Sequence, residues 1–377
     1  MKTIAVCLEH RFYEFDNKLY TKLAFAYPYW KDYLNYFDEV VIIARVQHVN
    51  NISEEMVRVD GPNVKYEKLF YYHGLKNFLV NILLVFKYIF IASKKYNHFL
   101  LRSGNSTNIL WLMLMLSGKP YLREYPGNIK EGMIGLVGNK FWVRVLANFL
   151  DSLAKLQAKY SNANSFVSDY CKKLYGSKKP SFVFSSFRIN EISSHKSEYG
   201  VKNKFKIACL GRLEGEKGHL NLLKAIQNSA IENIELHLIG GGSQFNNLKK
   251  FAEEFNIDVI FYGAVTDREK IFNILENCDL YIISSLTEGM PRSLLEAMAI
   301  GLPCIGSNVG GIPEVMDKNY IYDAQNIFEL SNLIKQFYSS EVLREEQGLR
   351  NINFIQKEFG EEKLLKKKKD FWSKVYE

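Results

Sequence analysis

Short apolar runs alternate along the chain with longer stretches in which apolar residues recur every three or four positions. The runs KTIAVCLE, EVVIIARV, HFLLRS, KPYLREY and SFVFSS in the first half predict strands, as do FKIACLGR, IELHLIG, VIFYG, DLYIISS and LPCIGS in the second. The stretches between them predict helices. Strands separated by helical crossovers imply parallel α/β sheets. Residues 186–204, SFRINEISSHKSEYGVKNK, are polar and aperiodic, and the alternation starts afresh after them. This break predicts two domains, 1–195 and 196–359, with a last helix over 360–377.

Composition agrees. A chain of 377 residues and 43.7 kDa is too long for one ordinary core, and 47% hydrophobic with 24% charged residues is a globular balance without low-complexity segments. The cysteines Cys7, Cys171, Cys209, Cys278 and Cys304 have no CxxC or zinc-ligand spacing and read as reduced, buried thiols of a cytoplasmic protein. The N-terminal apolar run is too short for a signal peptide and reads as a first strand. The longest apolar stretch, Phe78 to Ala92, carries Asn81 and Lys87. It falls short of the roughly 18 to 20 residues that span a bilayer and predicts a buried or interfacial helix.

A net charge of +8 favours an anionic partner: a nucleotide, a nucleic acid or an anionic membrane surface. Nucleic acid is disfavoured, because the chain has no RNP-like or zinc-finger pattern and its lysines are not interleaved with aromatics.

In paired α/β domains, ligands sit at the carboxyl ends of the strands, facing the cleft. That rule nominates His10, Arg102, Arg123 and Glu124 in the first half. In the second it nominates Arg212, Gly240 to Ser243, Tyr262 and Ser284 to Pro291. In LGRLEGEKGHLNLLKAI, residues 210–226, Arg212 and Lys217 lie in a Gly-punctuated loop before a helix, a combination suited to a diphosphate or simply a solvated basic turn. LIGGGS, centred on Gly241, lets backbone approach a ligand closely or makes a tight turn. It has neither GxGxxG nor P-loop spacing.

SSLTEGMPRSLLEAMAIG, residues 284–301, sets Glu288 and Glu296 on either side of a helix start. A helix N-terminus suits an anion such as phosphate, so carboxylates beside it must serve another group, for which sugar hydroxyls are the candidate. The plainer alternative is an ordinary amphipathic helix with both glutamates solvated.

The joint order of GRLEGEKG, LIGGGS, FYGAV and CDLYIISSLTEGMPRSLLEAMAIGLPCIGSNVGGIPEV, roughly Lys204 to Val315, resembles the donor-binding half of the retaining glycosyltransferase family 4, which has the GT-B fold of two Rossmann-like α/β domains around a cleft. The resemblance implies that Arg212 and Lys217 bind a donor diphosphate and that Glu288 faces the transferred sugar, with Gly289, Met290 and Pro291 beside sugar and phosphate. It also implies that Glu296 holds the ribose and that Tyr262 lies near the base. Domain 1–195 would bind the acceptor and domain 196–359 the nucleotide-sugar. Members often have a histidine after the strand matching KPYLREY, whereas this chain has Glu124, a candidate to orient or deprotonate the acceptor or to pair with Arg123 or Lys130. Arg102 is a candidate for an acceptor phosphate or a surface ion pair, and His10 reads as structural.

No D-x-D occurs, which predicts metal-independent transfer without a cofactor. In EEKLLKKKKDFWSKVYE, Leu364, Phe371 and Val375 share one helical face. In the resembled fold this helix packs back on the first domain with its lysines solvated; a basic membrane contact is the alternative. The expectation is therefore a cytoplasmic retaining glycosyltransferase, with a UDP-linked donor and a glycan or lipid-linked acceptor as in bacterial polysaccharide synthesis. Residues 78–92 keep open a peripheral contact with the inner face of the membrane. The alternatives are a nucleotide-sugar epimerase of the same architecture and a non-catalytic nucleotide-binding protein.

Overall fold

The computed structural model describes residues 1–22, 24–192 and 195–377, so that Ser193 and Ser194 of the expected linker lie outside it. A first sheet comprises β1 (Thr3–Phe15), β2 (Lys18–Thr21), β3 (Glu39–His48), β4 (Val57–Arg58), β5 (Val64–Leu69), β6 (Phe99–Leu101), β7 (Tyr121–Tyr125), β8 (Ala163–Phe166) and β9 (Ser181–Val183). Its parallel order is β5-β3-β1-β6-β7-β8-β9. The second sheet comprises β10 (Phe205–Leu210), β11 (Ile234–Ile239), β12 (Asp258–Gly263), β13 (Leu280–Ile283), β14 (Cys304–Ser307) and β15 (Ile321–Tyr322). It is parallel throughout, in the order β12-β11-β10-β13-β14-β15.

Helices in the first half are α1 (Tyr27–Lys31), α2 (Gly74–Val80), α3 (Ile82–Lys95), α4 (Asn105–Ser117), α5 (Ile129–Val137), α6 (Phe141–Tyr160) and α7 (Asp169–Tyr175). Those that follow are α8 (His219–Ser229), α9 (Phe245–Glu254), α10 (Arg268–Glu276), α11 (Arg292–Ile300), α12 (Ile327–Ser339), α13 (Glu341–Phe359) and α14 (Glu361–Ser373). The central strands β10 and β13 read as continuous apolar runs because two buried clusters cover them, one on each face.

Beyond strands that were not expected, β4, β5, β8 and β15 among them, the structure departs from the expected elements in three further places. First, β1 does not stop near Glu9. It bulges between Cys7 and Arg11, runs to Phe15 and turns back through Asp16 and Asn17, both at positive φ, into the antiparallel strand β2. Second, the single helix expected over 78–92 is two, α2 and α3, bent by 77° at Asn81. No single helix among the described residues is long and apolar enough to cross a membrane.

Third, the lysines of α14 are not all solvated. Phe371, Trp372 and Val375 are buried in the first sheet's core with Val40, Ile42 and Leu100, which brings Lys368 within 3.7 Å of Asp32. Burial lowers the pKa of Lys368, with Asp32 opposing that shift. Lys366 and Lys369 remain exposed.

Candidate functional site

The carboxyl ends of the two sheets meet. Gly289, after β13, lies so close to the first domain that a Cβ there would sit 2.9 Å from the Pro126 carbonyl and 3.1 Å from Gly127 Cα. Thr287 donates to Glu131 at 2.6 Å. Glu314 accepts the backbone N–H of Asp169 at 2.8 Å and that of Tyr170, at the start of α7. Burial raises the Glu314 pKa against those two hydrogen bonds. Neither Glu131 nor Glu314 was singled out from the sequence, since 156 and 145 residues separate them from their partners.

Within the second domain three loops close on one another. Gly218, at φ 65°, stands where a Cβ would fall 2.0 Å from the Ser284 carbonyl. Ser284 Oγ donates to the Lys217 carbonyl at 2.9 Å, and Leu286 N–H to the Glu216 carbonyl at 2.8 Å. These contacts bring Lys217 Nζ to 2.5 Å from Glu288 Oε1, which also accepts from Ser285 Oγ at 2.7 Å. Lys217 and Glu288 are both largely shielded from solvent. Arg212 reaches outward instead, 2.9 Å from Glu216 and mostly exposed.

The glycines of LIGGGS serve protein backbone. Gly240 and Gly242 admit the carbonyls of Gly211 and Leu213, and the Gly241 carbonyl accepts Leu213 N–H at 3.0 Å. The loop therefore holds the Gly211–Leu213 backbone, which carries Arg212, in place. Tyr262 turns its side chain away, its hydroxyl 2.8 Å from His237 Nδ1 and its ring stacked on the imidazole.

Helix α11 starts at Arg292 with Pro291 as N-cap and no side-chain cap. Its first-turn amides are thus left for an anion, on the side where Glu288, Gly289 and Met290 enter. Neither glutamate is solvated, so the plain amphipathic alternative fails. Glu296 is buried on α11 and pairs with Arg268 of α10 at 2.9 Å.

On the first domain, Glu124 pairs with Arg102 at 2.8 Å rather than with Arg123 or Lys130. Arg102 also donates to Tyr29 at 2.7 Å and lies over the rings of Phe25 and Tyr29. It belongs to a largely buried ion pair, not a surface one. Arg123 is not a cleft residue: fully buried, it donates to Gln157 and to the carbonyls of Leu101 and Glu124. His10 bonds Thr21 at 3.1 Å, and burial followed by Arg45, Arg11 and Arg102 pushes its pKa down to about 4. Among the described residues no three His, Cys, Asp or Glu side chains are grouped to hold a metal ion.

Residues 191–353 match the family model for glycosyl transferases group 1. Over 344 residues the chain is 27% identical to protein CapJ of Staphylococcus aureus, a match covering 88% of this chain and 85% of that one. A shorter match, 35% identical over 117 residues, is to the UDP-Gal:alpha-D-GlcNAc-diphosphoundecaprenol alpha-1,3-galactosyltransferase of Escherichia coli; it covers 29% of this chain and 30% of the relative. Among solved structures, sucrose-phosphate synthase from Thermosynechococcus elongatus superposes with a TM-score of 0.78 at 15% identity, over 100% of this chain and 99% of that one. At that identity the likeness is one of fold.

Proposed function

We propose that this chain, a glycosyltransferase of GT-B fold belonging to the glycosyl transferases group 1 family, moves a sugar from a UDP-linked donor to a lipid-linked glycan with retention at the anomeric carbon. The observation that carries the reading is the Lys217–Glu288 pair beside the uncapped start of α11, facing the first domain across Gly289. In the reaction the bond from the anomeric carbon to the diphosphate breaks and a bond to the acceptor oxygen forms. The acceptor's proton passes to the departing diphosphate, which is the base when the acceptor enters on the leaving group's own face. Negative charge grows on the diphosphate, where Lys217, Arg212 and the α11 amides stabilise it. Glu288 faces the sugar as positive charge develops there, and Glu296 holds the ribose with Arg268 fixing its carboxylate. Glu124, oriented by Arg102, lies on the acceptor side.

The UDP and diphospholipid assignments draw support from the name of the Escherichia coli relative. They also draw support from the protein's surface. Leu83, Leu116 and Phe141 are each 82% exposed, alongside Val80, Trp142, Val145 and Phe149. Helices α3, α4 and α6, which bear most of these, pack on the same face of the first sheet through one cluster. Residues 74–95 and 129–160 carry nine Lys and Arg side chains against Glu131 and Asp151. Exposed apolar side chains on segments with a surplus of cations fit an anionic bilayer, on which the enzyme rests without spanning it.

The reading is tested by incubating the enzyme with UDP-glucose, UDP-galactose or UDP-N-acetylglucosamine in EDTA, with and without a lipid-diphosphate-linked sugar. Acceptor-dependent UDP release with an axial anomeric product supports it. Conversion of the donor sugar without acceptor indicates an epimerase instead.

A further inference from the structure

Away from the Lys217–Glu288 pair, an open pocket of about 430 Å³ lies at the bulge of β1 and beside Arg45 of β3, level with the carboxyl ends of β6 and β7, and is lined by Glu9, His10, Arg11, Lys22, Arg45 and His73. Its one carboxylate is already engaged. Glu9 accepts from Tyr72 Oη and from Ser106 N–H at 2.9 Å, and lies 3.2 Å from Arg45. Arg11 and Lys22 are exposed and have no carboxylate partner among the described residues. Arg45 is buried with its Nε lacking a hydrogen-bond partner among the described residues. Three cations against one carboxylate leave a surplus of positive charge in a concave site, which focuses attraction on a multiply charged anion.

We propose that this pocket binds the phosphate or diphosphate group of the acceptor. The proposal rests on the acceptor reading above and deepens it. Strands in a sheet lie about 4.8 Å apart. In the order β3-β1-β6-β7, the pocket therefore stands roughly 10 to 14 Å along the carboxyl edge from the end of β7, where Gly127 meets Gly289. That distance accommodates one sugar ring plus its phosphate linkage between the reacting hydroxyl and the pocket. His73 and Gly74, on the rim, lead into α2, and the exposed Leu79, Val80 and Leu83 follow within ten residues. A phosphate held here has its lipid directed to the apolar face. Burial first, and after it Arg45 and Arg11 of this pocket together with Arg102, lowers the His10 pKa, and an anion placed beside these cations offsets their part of that shift.

The test is calorimetric titration of inorganic diphosphate, farnesyl diphosphate and uncharged farnesol into the whole protein, each with UDP saturating the donor loops. It is run on the wild type and on a variant carrying Arg11→Ala and Lys22→Ala, two exposed positions. The expected result is diphosphate binding that weakens tenfold or more in the variant, while UDP affinity is unchanged and the His10 titration midpoint, followed by NMR, rises on binding. Farnesyl diphosphate binding tenfold tighter than inorganic diphosphate assigns a lipid-borne phosphate; equal affinities assign the phosphate of a soluble acceptor. Equal binding in wild type and variant, or no diphosphate binding at all, overturns the pocket assignment. Loss of UDP binding in the wild type strikes instead at the donor reading.

Discussion

Lys217 Nζ lies 2.5 Å from Glu288 Oε1, although 71 residues separate the two in the chain. The cation proposed for the diphosphate and the carboxylate proposed for the sugar are thus direct neighbours. Removing the ammonium by Lys217→Ala also leaves Glu288 with Ser285 as its hydrogen-bond donor. A charge-assisted hydrogen bond is worth roughly 1.5 to 3 kcal/mol, so turnover falls about 10- to 100-fold. Normal turnover in a folded Lys217→Ala protein contradicts the assignment. Arg212→Lys is also impaired, because a point charge does not replace a guanidinium fork.

The apolar face makes its own prediction. Leu83→Glu combined with Leu116→Glu, both at highly exposed positions, places two anions where the bilayer would lie. Wild-type protein cosediments with vesicles containing phosphatidylglycerol and is released as salt screens the lysines. The double variant stays in solution with unchanged melting behaviour. Equal cosedimentation of both proteins removes this face from the account.

Stability should fall with acid in a defined window. His10 and His219 are both held down to about 4, each chiefly by burial, with Arg45 and Arg11 adding at His10 and Lys217 at His219. Between about pH 6.5 and 4 the unfolded chain binds protons at these sites that the folded chain does not, so stability present above 6.5 is lost as pH falls towards 4. Each histidine contributes at most about 1.4 kcal/mol per pH unit there. Urea titrations at pH 7 and pH 5 measure the loss, and His219→Gln should shrink it. An unchanged slope in that variant refutes the contribution of His219.

Much of the second domain was legible in the sequence because its signals are local. Apolar strands, the glycine loops and the Glu288–Glu296 segment each occupy a contiguous stretch, and the parallel order places their carboxyl ends together. The first domain was less legible. Strand β8 reads ANSF, too polar to predict, yet Asn164 is buried because Ser161, Ser177 and the Ala158 carbonyl satisfy its amide. The Arg102–Glu124 pair joins two strand ends, and no spacing rule foretells which arginine a glutamate meets across a sheet. Arg123, only one residue from Glu124, points to the opposite face, as strand alternation requires. The contacts of Glu131 and Glu314 with the opposite domain depend on how the two sheets approach.

The central claim divides sugar from ribose between the two glutamates. UDP has a ribose but no transferred sugar. Glu296→Gln should therefore weaken UDP binding and raise KM for the donor. Glu288→Gln should leave UDP affinity nearly untouched and chiefly lower kcat, since its interaction strengthens as charge develops on the sugar. Calorimetric titration of UDP into the two variants is the most direct measurement. The account predicts loss of affinity in Glu296→Gln alone; loss in Glu288→Gln with affinity retained in Glu296→Gln contradicts it.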